Sequence, residues 1–131
     1  MEKVILAGLR LDDEFEYKMD ELEALTKAAG AEVLGSVGQQ KRTVDPGTFL
    51  GKGKVQEIKE LAKNMEADSV IFLQELSGSQ IRNLEKIIEK KVLDRTMLIL
   101  DIFAGRATSR EGKLQVHLAQ LNRRPDRKSV V

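Results

Sequence analysis

Apolar residues along the chain alternate between short runs and longer stripes at helical spacing. Four short segments, bounded by polar residues, predict strands: residues 4–7, 31–37, 70–73 and 92–93. Three longer segments place apolar residues three and four positions apart and predict amphipathic helices: residues 14–29, 55–65 and 81–88. Strands that alternate with helices predict an α/β domain, with a small parallel four-stranded sheet flanked by helices and joined by right-handed crossovers.

Local signals place the ends of two of these helices. Gly30 follows the first helix and is suited to the left-handed conformation that ends it. Ser77 and Gln80 have the spacing of a capping box, which predicts the start of the third helix. The turn sequence that begins at Asp45, together with Gly51 and Gly53, predicts a loop over residues 40–53 and a second helix that begins soon after it.

The carboxy-terminal third departs from the alternation. Residues 97–104 are apolar nearly all round and fit a helix or a strand; we expect a helix that begins near Arg95 and Thr96 and extends to residue 107. A second capping box at residues 108–111 predicts another helix. We therefore predict an α/β subdomain over residues 1–95 and, over residues 96–131, the start of a truncated helical hairpin subdomain.

Composition narrows the class of protein. The chain has 131 residues, 41% of them hydrophobic, which is enough apolar material for one domain with a core of its own. It has no cysteine, no apolar stretch of membrane-spanning length and no signal peptide, so we expect a cytoplasmic protein. The formal net charge is +1, but residues 1–30 carry eight acids against four bases, and residues 104–131 carry seven bases against two acids.

The Gly-Lys-Gly-Lys stretch at residues 51–54 suggests phosphate binding because glycine amides and a helix amino terminus attract anions. Its spacing fits neither a P-loop nor a dinucleotide fingerprint, since the second glycine comes too early and no Ser or Thr follows Lys54. A basic, flexible loop is the favoured interpretation. If the stretch binds phosphate, an RNA backbone fits as well as a nucleotide.

Other polar residues predict no catalytic or metal site. His117, the one histidine, has no carboxylate at ligand spacing. Glu75 and Asp94 follow strands, where open α/β sheets bind ligands, yet carboxylates near helix starts are usually caps. Asp101 stands in an apolar segment and is most simply satisfied by Arg95 or a nearby amide.

Basic residues near two predicted helix starts form the candidate RNA contacts. These are Lys41, Arg42, Lys52, Lys54, Arg106, Arg110 and Lys113. A solvated face explains such clusters equally well. Because aromatic residues make up only 4% of the chain, recognition would depend on phosphates rather than on base stacking.

Several segments resemble the amino-terminal domain of HflX-type GTPases. Two of them are Asp-Pro-Gly-Thr-Phe-Leu-Gly-Lys-Gly-Lys-Val at residues 45–55 and Glu-Leu-Ser-Gly-Ser-Gln-Ile-Arg-Asn-Leu at residues 75–84. Residues 92–96, 98–104, 110–116 and 118–121 complete the match, in the same order and spacing. On this resemblance, ten residues belong to the family signature and are expected to be structural: Asp45, Pro46, Gly51, Gly53, Ser77, Gln80, Asp94, Arg95, Thr96 and Asp101.

The resemblance implies a docking domain of a GTP-binding protein that associates with the large ribosomal subunit and splits or rescues ribosomes. GTP and magnesium would bind the GTPase domain; the chain has neither a P-loop nor the Asn-Lys-x-Asp motif, so no GTPase activity and no cofactor are expected in it. Its partners would be ribosomal RNA and its own GTPase domain. After Leu121 the sequence departs from the family's pattern, and the hairpin tip is absent.

Two other functions are also compatible with the sequence. A small-ligand or nucleotide-binding domain would use residues 51–54 with the strand ends near Glu75 and Asp94. An interaction domain would instead bury the apolar face of residues 97–121 against its own GTPase domain.

Overall fold

A computed structural model describes residues 1–40 and 43–102 of the chain. Its elements are β1 (Lys3–Arg10), α1 (Phe15–Ala28), β2 (Glu32–Gln40), α2 (Lys52–Asn64), β3 (Ser69–Phe72), α3 (Gly78–Ile88) and β4 (Lys91–Asp94). Residues 95–102 are helical and are called α4. The predicted helix at residues 108–121 and the proposed subdomain boundary are not tested, since residues 103–131 lie outside the described residues.

The four strands form one parallel sheet in the order β2-β1-β3-β4, which confirms the predicted fold class. β1 has six consecutive buried residues because both faces of the sheet are covered. Ile5, Ala7 and Leu9 contribute to the core beneath α2 and α3. Val4 and Leu6 contribute to the core beneath α1 and α4.

α2 begins earlier than the glycine pattern predicted. Gly51 is its N-cap, in an extended conformation, and Gly53 lies inside the helix rather than in a flexible loop. The Gly51 amide donates to Oε1 of Gln39 at 2.9 Å, so the end of β2 holds the start of α2 in place. Val55 is fully buried, and an earlier helix start presents it to the sheet. The prediction of a loop through residue 53 was wrong for this reason.

The strands β1 and β2 are also longer than their apolar runs. β1 extends to Arg10 and β2 to Gln40, and the two pair over their whole length. Polar residues and glycines in these extensions hid the strands from a search for apolar runs. For residues 97–102 the structure confirms the helix and excludes the strand.

Two helices, α1 and α2, end in a Schellman motif. The sequence predicted a left-handed cap only after α1, at Gly30. After α1, the Ala31 amide donates to the carbonyl of Thr26, and Gly30 has a φ of 91°, as expected for the left-handed cap. After α2, the Ala67 amide donates to the carbonyl of Ala62 in the same way. The left-handed position there is held by Glu66, with a φ of 57°. A side chain at this φ costs conformational energy that glycine does not.

The substitution Glu66→Gly should therefore raise the free energy of unfolding, by about 0.5–1 kcal/mol, despite the entropy that glycine adds to the unfolded chain. Glu60→Gly is the matched control because it makes the same change at an exposed position inside α2. That control should lower stability by about 1 kcal/mol. Urea unfolding followed by circular dichroism measures both, and a loss of stability in both variants would contradict the strain at Glu66.

Candidate nucleic-acid interface

Nine of the ten family-signature residues meet at the carboxyl edge of the sheet, whereas Asp101 lies farther along α4, toward the amino edge, where it lines a groove with Glu2 and Gly30. Residues 45–51, 75–77 and 94–96 follow the carboxyl ends of β2, β3 and β4, and parallel strands bring these ends to one edge. These nine signature residues therefore belong to one structural unit, built from three loops and the helix starts that follow them.

The first of these loops is a tight turn at residues 45–50. Oδ1 of Asp45 accepts the amides of Gly47 and Thr48 at 2.8 and 3.0 Å. The backbones of Asp45 and Phe49 exchange two hydrogen bonds, and Phe49 adopts a positive φ of 66°. Its ring is buried and meets that of Phe72 edge-on, with 6.3 Å between the ring centroids. This contact ties the turn to the end of β3.

The second loop ends in the predicted capping box, and this box also holds the turn. Ser77 accepts the amide of Gln80, and the Gln80 side chain accepts the amide of Ser77. The amide nitrogen of the Gln80 side chain also donates to the carbonyls of Asp45 and Pro46, at 3.3 and 3.4 Å. One turn later, Asn83 donates to the carbonyl of Gly47 at 2.9 Å. The start of α3 therefore fixes the turn in front of α2.

Asp94 connects the third loop to the second. Its side chain is buried at the end of β4, and Oδ2 accepts the amide of Leu76 at 3.0 Å. Oδ1 accepts the amide of Met97 at 3.0 Å, which makes Asp94 the N-cap of α4. The interpretation of this carboxylate as a cap is thus confirmed, while Glu75 is exposed to solvent. Among the other signature residues, Arg95 lies 3.4 Å from Glu21, and Thr96 and Asp101 are exposed on α4.

The place where such sheets usually bind small ligands is filled by Gln74. From β1 the chain crosses to β2 on one side of the sheet, and from β3 it crosses to β4 on the other side. In open α/β sheets, small ligands usually bind in the crevice where the connections change direction in this way, which here lies between β1 and β3. The backbone amide of Leu9 donates to Oε1 of Gln74 at 3.0 Å, and Nε2 of Gln74 donates to the carbonyl of Leu9 at 2.7 Å. Gln74 thus extends the ladder beyond the end of β3 and occupies the crevice with its own amide.

Two of the seven candidate RNA contacts lie within the described residues. Lys52 is exposed on the first turn of α2. Lys54 is half-buried, and its Nζ lies 3.0 Å from Glu57. The other five, Lys41, Arg42, Arg106, Arg110 and Lys113, lie outside the described residues.

Further basic residues share a surface with Lys52. α2 and α3 both return from the carboxyl edge to the amino edge of the sheet, so they run parallel to each other. Lys59 Nζ lies 4.0 Å from Glu89 at the end of α3. The flank of α2 that carries Lys59 therefore faces α3. Lys52 lies two turns before Lys59, as Arg82 lies two turns before Glu89. The two helices therefore carry their bases side by side.

We call this set the α2–α3 basic surface, formed by Lys52, Lys59, Lys63, Arg82 and Lys86. Within residues 1–40 and 43–102, Lys59 alone of the five forms an ion pair. The last four residues were not among the predicted RNA contacts. Helical spacing places Lys52, Lys59 and Lys63 on one flank and could have identified them, but the proximity of Arg82 and Lys86 depends on how the helices pack.

The part of the chain that the structure describes offers neither a cluster of metal ligands nor a membrane-spanning helix. The described residues contain no group of three or more His, Cys, Asp or Glu side chains arranged to hold a metal ion. None of the helices among them has both the length and the hydropathy needed to cross a bilayer.

The role of Asp94 can be tested by Asp94→Asn. The amide side chain retains one acceptor oxygen but turns an N–H group toward one of the two backbone amides, so a buried donor loses its partner. We expect a loss of about 1–3 kcal/mol in the free energy of unfolding. Asp20→Asn, the same change at an exposed position on α1, should stay within about 0.5 kcal/mol of the parent chain. Equal effects of the two changes in chemical unfolding would refute the role of Asp94.

Comparisons with known proteins agree with this geometry. The family of GTP-binding GTPase amino-terminal domains matches residues 16–104. The GTPase HflX of Alkalihalophilus pseudofirmus is 53% identical over 124 residues, which cover 92% of this chain and 29% of that protein. The GTPase HflX of Lacrimispora saccharolytica is 50% identical over 128 residues, which cover 96% of this chain and 30% of that protein. The chain thus spans less than a third of the length of these curated relatives.

A solved structure shows the same fold. The crystal structure of a GTP-binding protein from the hyperthermophilic archaeon Sulfolobus solfataricus in complex with GDP is similar with a TM-score of 0.61 and 26% identity. The match covers 79% of this chain and 30% of that one. Sequence, signature geometry and fold agree: the chain belongs to the family of GTP-binding GTPase amino-terminal domains and corresponds to the amino-terminal part of HflX.

Proposed function

We propose that the chain docks its HflX GTPase on the large ribosomal subunit, where it takes part in splitting or rescuing ribosomes. It binds ribosomal RNA through the α2–α3 basic surface and the first turn of α2. The observation that carries this proposal is the side-by-side arrangement of α2 and α3, which gathers five bases, of which Lys59 alone forms an ion pair within the described residues. RNA binding requires that the bases cluster locally, because the formal net charge of the whole chain is only +1.

The first turn of α2 supports contact with a phosphate. Gly51 has no side chain to cap the helix, so the amides of the first turn are free of any side-chain cap. Lys52 and Lys54 stand beside these amides, and no acidic residue occupies the first turn. Amides and lysines together favour an anion.

Gly53 supports a close approach of the partner. A Cβ added at this position would meet no atom within 4 Å, and φ there does not require glycine, so packing within the described residues gives no reason for the residue. Glycine in a helix costs stability relative to alanine. An RNA backbone lying against the helix would explain why a side chain is missing at this position.

Catalysis belongs to another part of the protein under this proposal. GTP and magnesium would bind the GTPase domain, and this chain would supply affinity and orientation without hydrolysing GTP.

A second candidate function, packing on that GTPase domain, is favoured by one observation. A groove of about 530 Å³ opens between the end of α1 and α4, lined by apolar side chains that include Ile71, Leu93 and Leu98.

Charge reversal at the two lysines should have unequal effects on binding to isolated large subunits. Lys52→Glu should weaken binding and lower the slope of log affinity against log salt by about 1, because Lys52 is free to meet a phosphate. Lys54→Glu should have the smaller effect because Lys54 is half-buried against Glu57. Lys27→Glu on α1 is the control and should leave the slope unchanged. Sedimentation with subunits over a salt series measures all three; an unchanged slope in Lys52→Glu would count against the surface.

Gly53→Ala should separate stability from binding. It should raise the free energy of unfolding by about 0.5–1 kcal/mol because alanine favours the helix. It should weaken subunit binding several-fold because the added methyl group stands between the helix and the RNA backbone. Thermal melts and sedimentation of the same variant provide the two readouts. If the variant is stabilised but binds subunits as well as the parent chain does, Gly53 does not lie in the interface. The lysine variants would then be the remaining test of docking.

A further inference from the structure

The groove between the end of α1 and α4 lies at the amino edge of the sheet. The strands contribute Val4 and Leu93 to its lining, and α4 contributes Leu98 and Ile102. The end of α1 forms the opposite side, where residues 28–30 are exposed. The described fold therefore leaves an apolar opening above the sheet, on the face opposite the α2–α3 basic surface.

Few polar side chains in the groove could orient a small ligand. Its lining has three of them, those of Glu2, Ser69 and Asp101. The Ser69 hydroxyl donates to Oε2 of Glu2 at 2.8 Å, so these two groups already meet each other. Small-molecule sites combine an apolar lining with polar groups placed to fix the orientation of the ligand. An apolar segment of polypeptide suits this groove better.

The chain itself continues from the side of this groove. Ile102, the last described residue, is part of the lining, and the sequence runs on to residue 131. Leu114, Leu118 and Leu121 recur there at helical spacing, on the helix that the second capping box predicts. Such an apolar stripe is stable only against another apolar surface. The groove is the nearest surface of this kind along the chain.

The spacing of the leucines matches that of the groove. If the chain reverses near residue 108, where the new helix is predicted to begin, Ile102 and Leu114 each lie about 9 Å from the reversal along a helix axis. Leu98 and Leu118 are then level with each other too, each about 15 Å from the reversal. Four residues separate the members of each pair on one helix, so they share a side of it. An antiparallel hairpin brings the stripe to the level of the groove.

Charge favours the same occupant. The lining of the groove contains the carboxylates of Glu2 and Asp101 and no basic side chain. Arg110 stands four residues before Leu114, on the same side of the predicted helix and toward the amino edge. Exposed charge pairs contribute little to stability, so apolar contact carries most of the binding.

We propose that residues 108–121 fold back over the groove as the antiparallel partner of α4, with Leu114 and Leu118 packed on Ile102 and Leu98. The inference does not rest on ribosome binding, because the groove and the α2–α3 basic surface lie on opposite faces of the sheet. It has a consequence for the GTPase domain, which would be excluded from the groove by this segment of the chain.

Disulfide trapping tests the contact, and the absence of cysteine from the chain makes an introduced pair unambiguous. Ala28→Cys lies on the α1 side of the groove, at an exposed position, and is combined with Leu114→Cys. The matched control combines Ala28→Cys with Val116→Cys, since Val116 lies outside the stripe. Because a disulfide needs Cα atoms within about 7 Å, the first pair should form an intrachain bond several-fold faster than the control.

Thermal unfolding gives a second readout without cysteines. Leu118→Ser should lower the melting temperature by several degrees, because it removes apolar contact between the segment and the groove. Val116→Ser makes a similar change on the same segment outside the stripe and should leave the melting temperature close to that of the parent chain.

Three results would overturn the proposal. They are equal rates of intrachain disulfide formation in the two cysteine pairs, no intrachain disulfide in either, and equal melting temperatures of Leu118→Ser and Val116→Ser. Disulfides that form between chains instead of within one, read from the mass on a non-reducing gel, would also overturn it and assign the groove to a second copy.

Discussion

The Asp94 carboxylate is the interaction on which the carboxyl edge of the sheet depends. It is buried and accepts one amide from the loop before α3 and one from the first turn of α4. The first bond positions Leu76 and the capping box beside it, and through Gln80 that box holds the turn at residues 45–50. The turn leads into Gly51, where α2 begins. A chain of hydrogen bonds between protein groups thus aligns α2 with α3, and with them the α2–α3 basic surface.

In this arrangement, signature residues hold the loops together while the proposed RNA contacts lie beside them. Asp45 and Ser77 accept backbone amides of their own turns, while Gln80 and Asp94 also bond to backbone groups of neighbouring loops. Lys52 and Lys63 on α2, and Arg82 and Lys86 on α3, are exposed to solvent. α1, which carries several carboxylates, packs on the opposite face of the sheet from α2 and α3.

Local chemistry made part of this structure predictable. The apolar runs, the capping box of Ser77 and Gln80, the left-handed Gly30 and the cap at Asp94 each depend on residues close together in sequence, so their patterns were sufficient. The start of α2 was misplaced because the bond from Gly51 to Gln39 spans twelve positions. Glu66 in a left-handed conformation gave no signal, since glycine is the residue that marks such a position. The part of the basic surface on α3 was hidden for a related reason: it exists only once α2 and α3 pack together.

The central claim is that the α2–α3 basic surface meets ribosomal RNA, and lysine reactivity tests it most directly. The chain is acetylated with and without an excess of large ribosomal subunits, and each lysine is quantified by mass spectrometry. The account predicts that Lys52, Lys63 and Lys86 lose reactivity on the subunit, while Lys27 on α1 keeps it. Unchanged reactivity at all four lysines, or protection confined to Lys27, would contradict the account.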